Sequence, residues 1–67
     1  MDYITDGRCI VNLNLIASIF VSKQGDRWTI EFYTTTGECV EILYYDTKEE
    51  RDEVFEKITE MLNAQTI

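Results

Sequence analysis

Sixty-seven residues with 45% hydrophobic and 12% aromatic side chains form one small domain, and thirteen acidic residues against six basic ones give a net charge of −7. A chain of this size buries only about 60% of the surface that it exposes when unfolded, so its core is small. The charge excludes direct binding to nucleic acid or to an anionic membrane, because both need clustered positive charge. We expect a single domain, residues 1–67, that gains stability from a second chain.

The sequence carries no catalytic, metal or cofactor motif. Histidine is absent, and Cys9 and Cys39 lie far apart without a base nearby, which excludes a zinc motif and an activated thiol. No segment approaches the roughly 18 apolar residues of a membrane span, and the N-terminus lacks the basic and apolar regions of a signal peptide. We therefore expect a non-enzymatic, cytoplasmic protein without a cofactor. Both cysteines fall on predicted strands and could form one bridge, but in a reducing cytosol we expect two free thiols.

Alternating apolar and polar residues predict four strands, at about residues 8–12, 16–23, 27–35 and 38–45. A turn around Asn12 to Leu15 is expected between the first two. If Gln24 and Gly25 form a two-residue hairpin loop, Val21 lies opposite Trp28. One face of this hairpin then carries a matched apolar set: Ala17, Ile19, Val21, Trp28, Ile30 and Phe32.

The next turn decides which side chains of the last strand face the core. A three-residue loop of Thr36, Gly37 and Glu38 places Phe32 opposite Ile42, since glycine supplies the positive φ that such loops use. In this register the predicted inward residues are Val40, Ile42 and Tyr44. The predicted outward residues are Cys39, Glu41, Leu43 and Tyr45.

A helix is predicted over residues 48–63. Thr47 followed three residues later by Glu50 matches the capping box that begins many helices. The apolar residues that follow repeat with the helical period and are Val54, Phe55, Ile58, Met61 and Leu62. We expect an α+β fold, an antiparallel three- to four-stranded β-meander covered on one face by a single C-terminal amphipathic helix.

The order of hairpin, strand and terminal helix resembles the C-terminal half of pleckstrin-homology-like domains. The opening pattern is also similar to that of small uncharacterised bacterial and phage proteins, and its residues here are Val11, Asn12, Leu13, Ile16, Ser18, Ile19 and Val21. The resemblance covers about residues 9 to 62. It implies a fold and carries over no functional residue.

A single helix covers one sheet face, so the other face is expected to be open. In the predicted register this open face carries four apolar side chains, Phe20, Tyr33, Leu43 and Tyr45. A contiguous patch of this kind marks a protein interface on many small domains, and aromatic side chains are enriched at such interfaces. We expect this face to bind a protein, either a second copy in a homodimer or a different partner.

The predicted helix concentrates negative charge, and its candidate partner-binding residues are Glu49, Glu53, Glu56 and Glu60. Acids four residues apart repel one another, so they do not serve helix stability. Such acids most often serve ordinary solubility, and the sharper hypothesis is a partner protein with a basic surface. An alternative is suggested by similarity to small acidic phage inhibitors, which imitate nucleic acid to occupy a host or defence protein. A weaker alternative is a scaffold domain without a dedicated ligand.

Overall fold

The computed structural model describes residues 3–5 and 7–64. Its elements in chain order are β1 (Tyr3–Thr5), β2 (Ile10–Asn12), a 3₁₀ turn (Leu13–Leu15), β3 (Ser18–Gln24), β4 (Arg27–Tyr33), β5 (Cys39–Tyr45) and α1 (Lys48–Met61). Strands β3, β4 and β5 form an antiparallel meander, and α1 packs on β4 and β5. The predicted α+β class is confirmed. Among the described residues, no helix is long and apolar enough to cross a membrane.

The first predicted strand does not join the meander. It is β2, which pairs with β1, a strand that the sequence analysis did not predict, to make a separate two-stranded antiparallel sheet. The 3₁₀ turn separates the two sheets, and the Asn12 side chain begins this turn by accepting a hydrogen bond from the Asn14 backbone at 3.0 Å. The chain thus changes direction between β2 and β3.

The hairpin between β3 and β4 turns one residue later than predicted. Gly25 and Asp26 form the loop, with Gly25 at a φ of +58°, the conformation that the first position of a tight hairpin turn requires. Val21 therefore lies opposite Ile30 instead of Trp28. The shift in pairing is two residues, so each side chain keeps its predicted face.

The hairpin between β4 and β5 contains a β-bulge, which overturns the predicted facing of β5. Its loop is closed by the Thr34 backbone N–H, which donates to the Glu38 carbonyl at 2.9 Å. Tyr33 pairs with Cys39 and Phe32 pairs with Glu41, leaving Val40 as an extra residue of β5. One inserted residue turns the rest of a strand over. The predicted inward set Val40, Ile42 and Tyr44 is therefore wrong.

The core combines side chains from the small sheet, the 3₁₀ turn, the meander and the helix. Its buried apolar residues are Val11, Leu13, Ile30, Phe32, Leu43 and Ile58. Leu43, predicted on the open face, is only 2% exposed, and Tyr45 packs against the same core. Val54 and Phe55 also contact it, whereas Met61 and Leu62 at the end of the helix are largely exposed.

Thr47 begins α1 as predicted. Its hydroxyl oxygen accepts a hydrogen bond from the Glu50 backbone N–H at 3.2 Å, and so satisfies a donor that would otherwise lack a helical partner. The helix ends at Met61, two residues before the predicted end, and Leu62 caps it by donating to the Ile58 carbonyl at 3.0 Å. The helix is thus bounded by local hydrogen bonds at both ends.

The bulge leads to a direct test on β5. Leu43→Ala should lower the free energy of unfolding by about 3 kcal/mol, since it removes a buried leucine and leaves a cavity. Ile42→Ala, on the neighbouring residue of the opposite face, should cost about 1 kcal/mol or less. Urea unfolding of both variants measures the difference, and the reverse order of costs would mean that β5 lacks the bulge.

Candidate functional site

Four glutamates form a line along α1, here called the acidic stripe: Glu49, Glu53, Glu56 and Glu60. All four side chains are exposed. Steps of four, three and four residues keep them within an arc of about 60° on a helix of 3.6 residues per turn, over roughly 16 Å of its length. Ile58 lies on the opposite side of this helix, in the core. The acidic stripe therefore points directly away from the sheet.

The basic residues of α1 do not neutralise the stripe as a whole. Lys48 and Arg51 both bind Asp52, at 2.7 and 2.8 Å, and Asp52 is not part of the stripe. The hydrogen bond from Lys48, then that from Arg51, holds the pKa of Asp52 below its usual value. Within the stripe, Glu53 faces Lys57 at 3.6 Å in a largely exposed ion pair, which contributes little to stability.

Arg51 fixes the helix to the sheet and so sets the direction of the stripe. It is only 5% exposed, and its Nη1 donates to the backbone carbonyl of Ser22 on β3 at 2.8 Å. Its guanidinium also lies 5.2 Å from the ring centroid of Trp28 on β4. A hydrogen bond and a cation–π contact thus join α1 to two strands. The sequence does not reveal this role of Arg51, because a basic residue among helix acids resembles an ordinary surface charge.

The open face of the meander, here called the outer sheet face, holds two of the four apolar residues predicted there. Phe20 is 55% exposed and packs edge-on against Tyr33, with ring centroids 5.5 Å apart. Leu43 and Tyr45 are absent from this face because of the bulge, and Ile42 and Tyr44 take their place. Of the four apolar residues now on this face, Phe20 is exposed, whereas Tyr33, Ile42 and Tyr44 are half-buried.

Polar contacts cover the middle of the outer sheet face. The Glu31 carboxylate accepts hydrogen bonds from the Tyr33 hydroxyl at 2.7 Å and from the Thr29 hydroxyl at 3.3 Å. Thr29 is completely buried, and the guanidinium of Arg27 lies 5.2 Å from the ring centroid of Tyr44. Glu31 thus acts as an internal hydrogen-bond acceptor, and this face is less apolar than its sequence suggests.

An apolar groove that the sequence analysis did not predict lies between β2, the 3₁₀ turn and β5. Its volume is about 320 Å³, and its most exposed lining residues are Ile10 at 74%, Leu15 at 70% and Val40 at 51%. Val40 reaches this groove because it is the extra residue of the bulge. Large exposed aliphatic side chains in one place are typical of contact surfaces. No local pattern brings these three residues together.

Metal and thiol chemistry find no support in the described residues. In residues 3–5 and 7–64, no group of three or more histidine, cysteine or acidic side chains is placed to hold a metal ion. Cys9 is half-buried and Cys39 exposed, and the two do not form a disulfide bond. The Cys39 Sγ lies 3.6 Å from the Glu41 carbonyl, an acceptor that does not activate a thiol.

The chain matches no protein-family model, no curated protein and no solved structure. Its resemblance to pleckstrin-homology-like half-domains and to small bacterial and phage proteins therefore stays a prediction.

The Tyr33 hydroxyl provides a pH-dependent test of the outer sheet face. Its hydrogen bond to Glu31, together with burial and the Glu31 charge, raises the pKa of Tyr33 to about 12. An unfolded tyrosine titrates near 10. Between about pH 10 and 12 the unfolded chain has lost a proton that the folded chain keeps, so the free energy of unfolding should fall with pH. Below about pH 10 this contribution is fully present.

Phenolate absorbance against pH measures this titration. The curve of the wild type minus that of Tyr33→Phe isolates Tyr33, and Glu31→Gln should return its midpoint toward 10 by removing the acceptor charge. A difference curve centred near 10 in the wild type would show that Tyr33 does not donate to Glu31.

Proposed function

We propose that this chain is a small, non-enzymatic protein-interaction module that binds a partner with a basic surface. The observation that carries the proposal is the acidic stripe, Glu49, Glu53, Glu56 and Glu60, exposed along one line of α1. The stripe lies opposite the side of the helix that packs on the sheet, so the whole line is accessible to another protein. Binding or occluding that partner's surface is the proposed mechanism.

Electrostatics favour this class of partner. The net charge of −7 attracts basic surfaces at long range, and a line of like charges on a rigid helix gives that attraction a direction. The contact from Arg51 to Ser22 and the cap at Thr47 hold the helix in place, so little ordering is needed on binding. Such binding is expected to be fast and to weaken as salt is added.

Charge reversal tests the stripe with a matched control. Glu56→Lys with Glu60→Lys raises the net charge from −7 to −3, as does Asp26→Lys with Glu38→Lys in the two exposed hairpin turns. Proteins of the source organism that bind the wild type should bind the first variant about tenfold more weakly and should keep their affinity for the second. Affinity capture followed by calorimetry with the purified partner measures this.

The result depends on where the charge lies, since both variants carry the same total. If both variants lost the same amount of affinity, the total charge and not the position of the stripe would explain the binding, and the proposal would be contradicted. The proposal would also be contradicted if the wild-type chain captured no protein in the affinity experiment.

Imitation of nucleic acid is the second candidate function. This candidate is favoured because the acids follow one line along the helix, with axial steps of about 4.5 to 6 Å. The phosphates of a nucleic-acid strand likewise form a line of repeated negative charges. In this case the captured partner binds DNA or RNA, and the wild-type chain should displace that nucleic acid in a fluorescence-anisotropy competition. The Glu56→Lys, Glu60→Lys variant should not displace it. A partner that binds the chain and nucleic acid at the same time would contradict imitation but would still agree with the proposed interaction module.

A further inference from the structure

β3 forms an edge of the meander. It pairs with β4 on one side, and among the described residues no strand pairs with its other side. From Phe20 through Gln24 five consecutive residues are exposed, including the large apolar side chains of Phe20 and Val21 on opposite faces. Unlike β4 and β5, β3 contains no acidic residue. An uncovered strand of this kind is a template for pairing with another strand.

The sequence of β3 is self-complementary when read in opposite directions. Residues 18 to 22 are Ser-Ile-Phe-Val-Ser. In an antiparallel pair of two copies centred on Phe20, the residues meet as phenylalanine with phenylalanine, isoleucine with valine, and serine with serine. Each cross-strand neighbour therefore has a partner of its own chemical type, which is the match that a two-fold symmetric contact requires.

The backbone hydrogen-bonding groups of β3 also agree with a register centred on Phe20. Gln24 and Arg27 flank the two-residue loop, so they exchange backbone hydrogen bonds, and the antiparallel alternation gives the same role to Ser22 and to Phe20. The backbone groups of Ile19, Val21 and Lys23 then point toward the open edge. In the pair centred on Phe20, Ile19 meets Val21 of the other copy, and both have these groups directed at one another.

We propose that two copies of this chain pair through β3, in the register centred on Phe20, to form a continuous six-stranded antiparallel sheet. The two-fold axis is perpendicular to the sheet, so both helices lie on the same side of it. The two Phe20 rings become neighbours on the outer sheet face, each already held by the edge-on contact with its own Tyr33. The Arg51 hydrogen bond uses the Ser22 carbonyl and leaves the outward-pointing groups of the edge available. The proposal does not depend on the acidic stripe.

Charged residues introduced at Ser18 and Ser22 test both the use of the β3 edge and the proposed register, because Ser18 of one copy faces Ser22 of the other. The variant with Ser18→Glu and Ser22→Glu puts acids opposite acids, and the variant with Ser18→Lys and Ser22→Lys puts bases opposite bases. By sedimentation equilibrium, each should dimerise at least about tenfold more weakly than the wild type. An equimolar mixture should recover a two-chain species, twice the 7.9 kDa of one chain.

The matched controls place the same charges on the exposed turn between β4 and β5, as Thr35→Glu with Thr36→Glu and as Thr35→Lys with Thr36→Lys. These controls should differ from the wild type only by a general charge effect, and mixing them should change nothing. Glu56→Lys with Glu60→Lys should also keep the dimer, so a failure of the proposed function and a failure of this inference give different results.

Hydrogen exchange on the wild type provides a test that needs no substitution. Protection of the Ile19, Val21 and Lys23 amides should rise with protein concentration by more than that of Phe20 and Ser22, whose amides already bond within one chain. A one-chain mass over about a thousandfold range of concentration overturns the proposal. A dimer that is indifferent to charge at Ser18 and Ser22, or outward amides whose exchange does not change with concentration, also overturns it.

Discussion

One extra residue in β5 decides how the side chains of this small protein are divided between core and surface. Both faces of β5 are apolar enough to be buried, so composition alone does not decide which face lies against the core. The bulge at Val40 places Leu43 beside Ile30 and under Ile58, and turns Ile42 outward. In residues 3–5 and 7–64 the core has six buried apolar side chains, and so small a core has little tolerance for the other facing of β5. The apolar groove, the outer sheet face and the packing of α1 all follow from this placement.

The parts of the fold that local signals determine could be predicted from the sequence. Thr47 and Glu50 are three residues apart and mark the start of α1 without help from the rest of the chain. The facing of β3 and β4 was also predicted, because a two-residue error in pairing leaves each face unchanged. The facing of β5 was not, since a single bulged residue is invisible in a strand whose two faces are both apolar. The strand β1 is short and gave no periodic signal.

The candidate surfaces divide in the same way. The acidic stripe depends only on helical spacing, so the four glutamates stand where the sequence placed them. The prediction for the outer sheet face was partly wrong because the facing of β5 was wrong, and Leu43 and Tyr45 lie toward the core instead. The role of Arg51 depends on Trp28, which lies on a different element, and the apolar groove joins Ile10 with Val40 across thirty positions of the chain. Contacts of this range are set by tertiary packing and leave no trace in a local pattern.

Trp28 is the single tryptophan of the chain, and cations from two different elements lie against it. The Lys23 ammonium, on β3, is 4.6 Å from the ring centroid, and the Arg51 guanidinium, on α1, is 5.2 Å from it. Indole emission responds to nearby charge, so its wavelength and intensity depend on whether the helix is docked and whether the edge strand is in place. The protein thus contains a built-in optical reporter, at the point where its two layers meet, that needs no added dye.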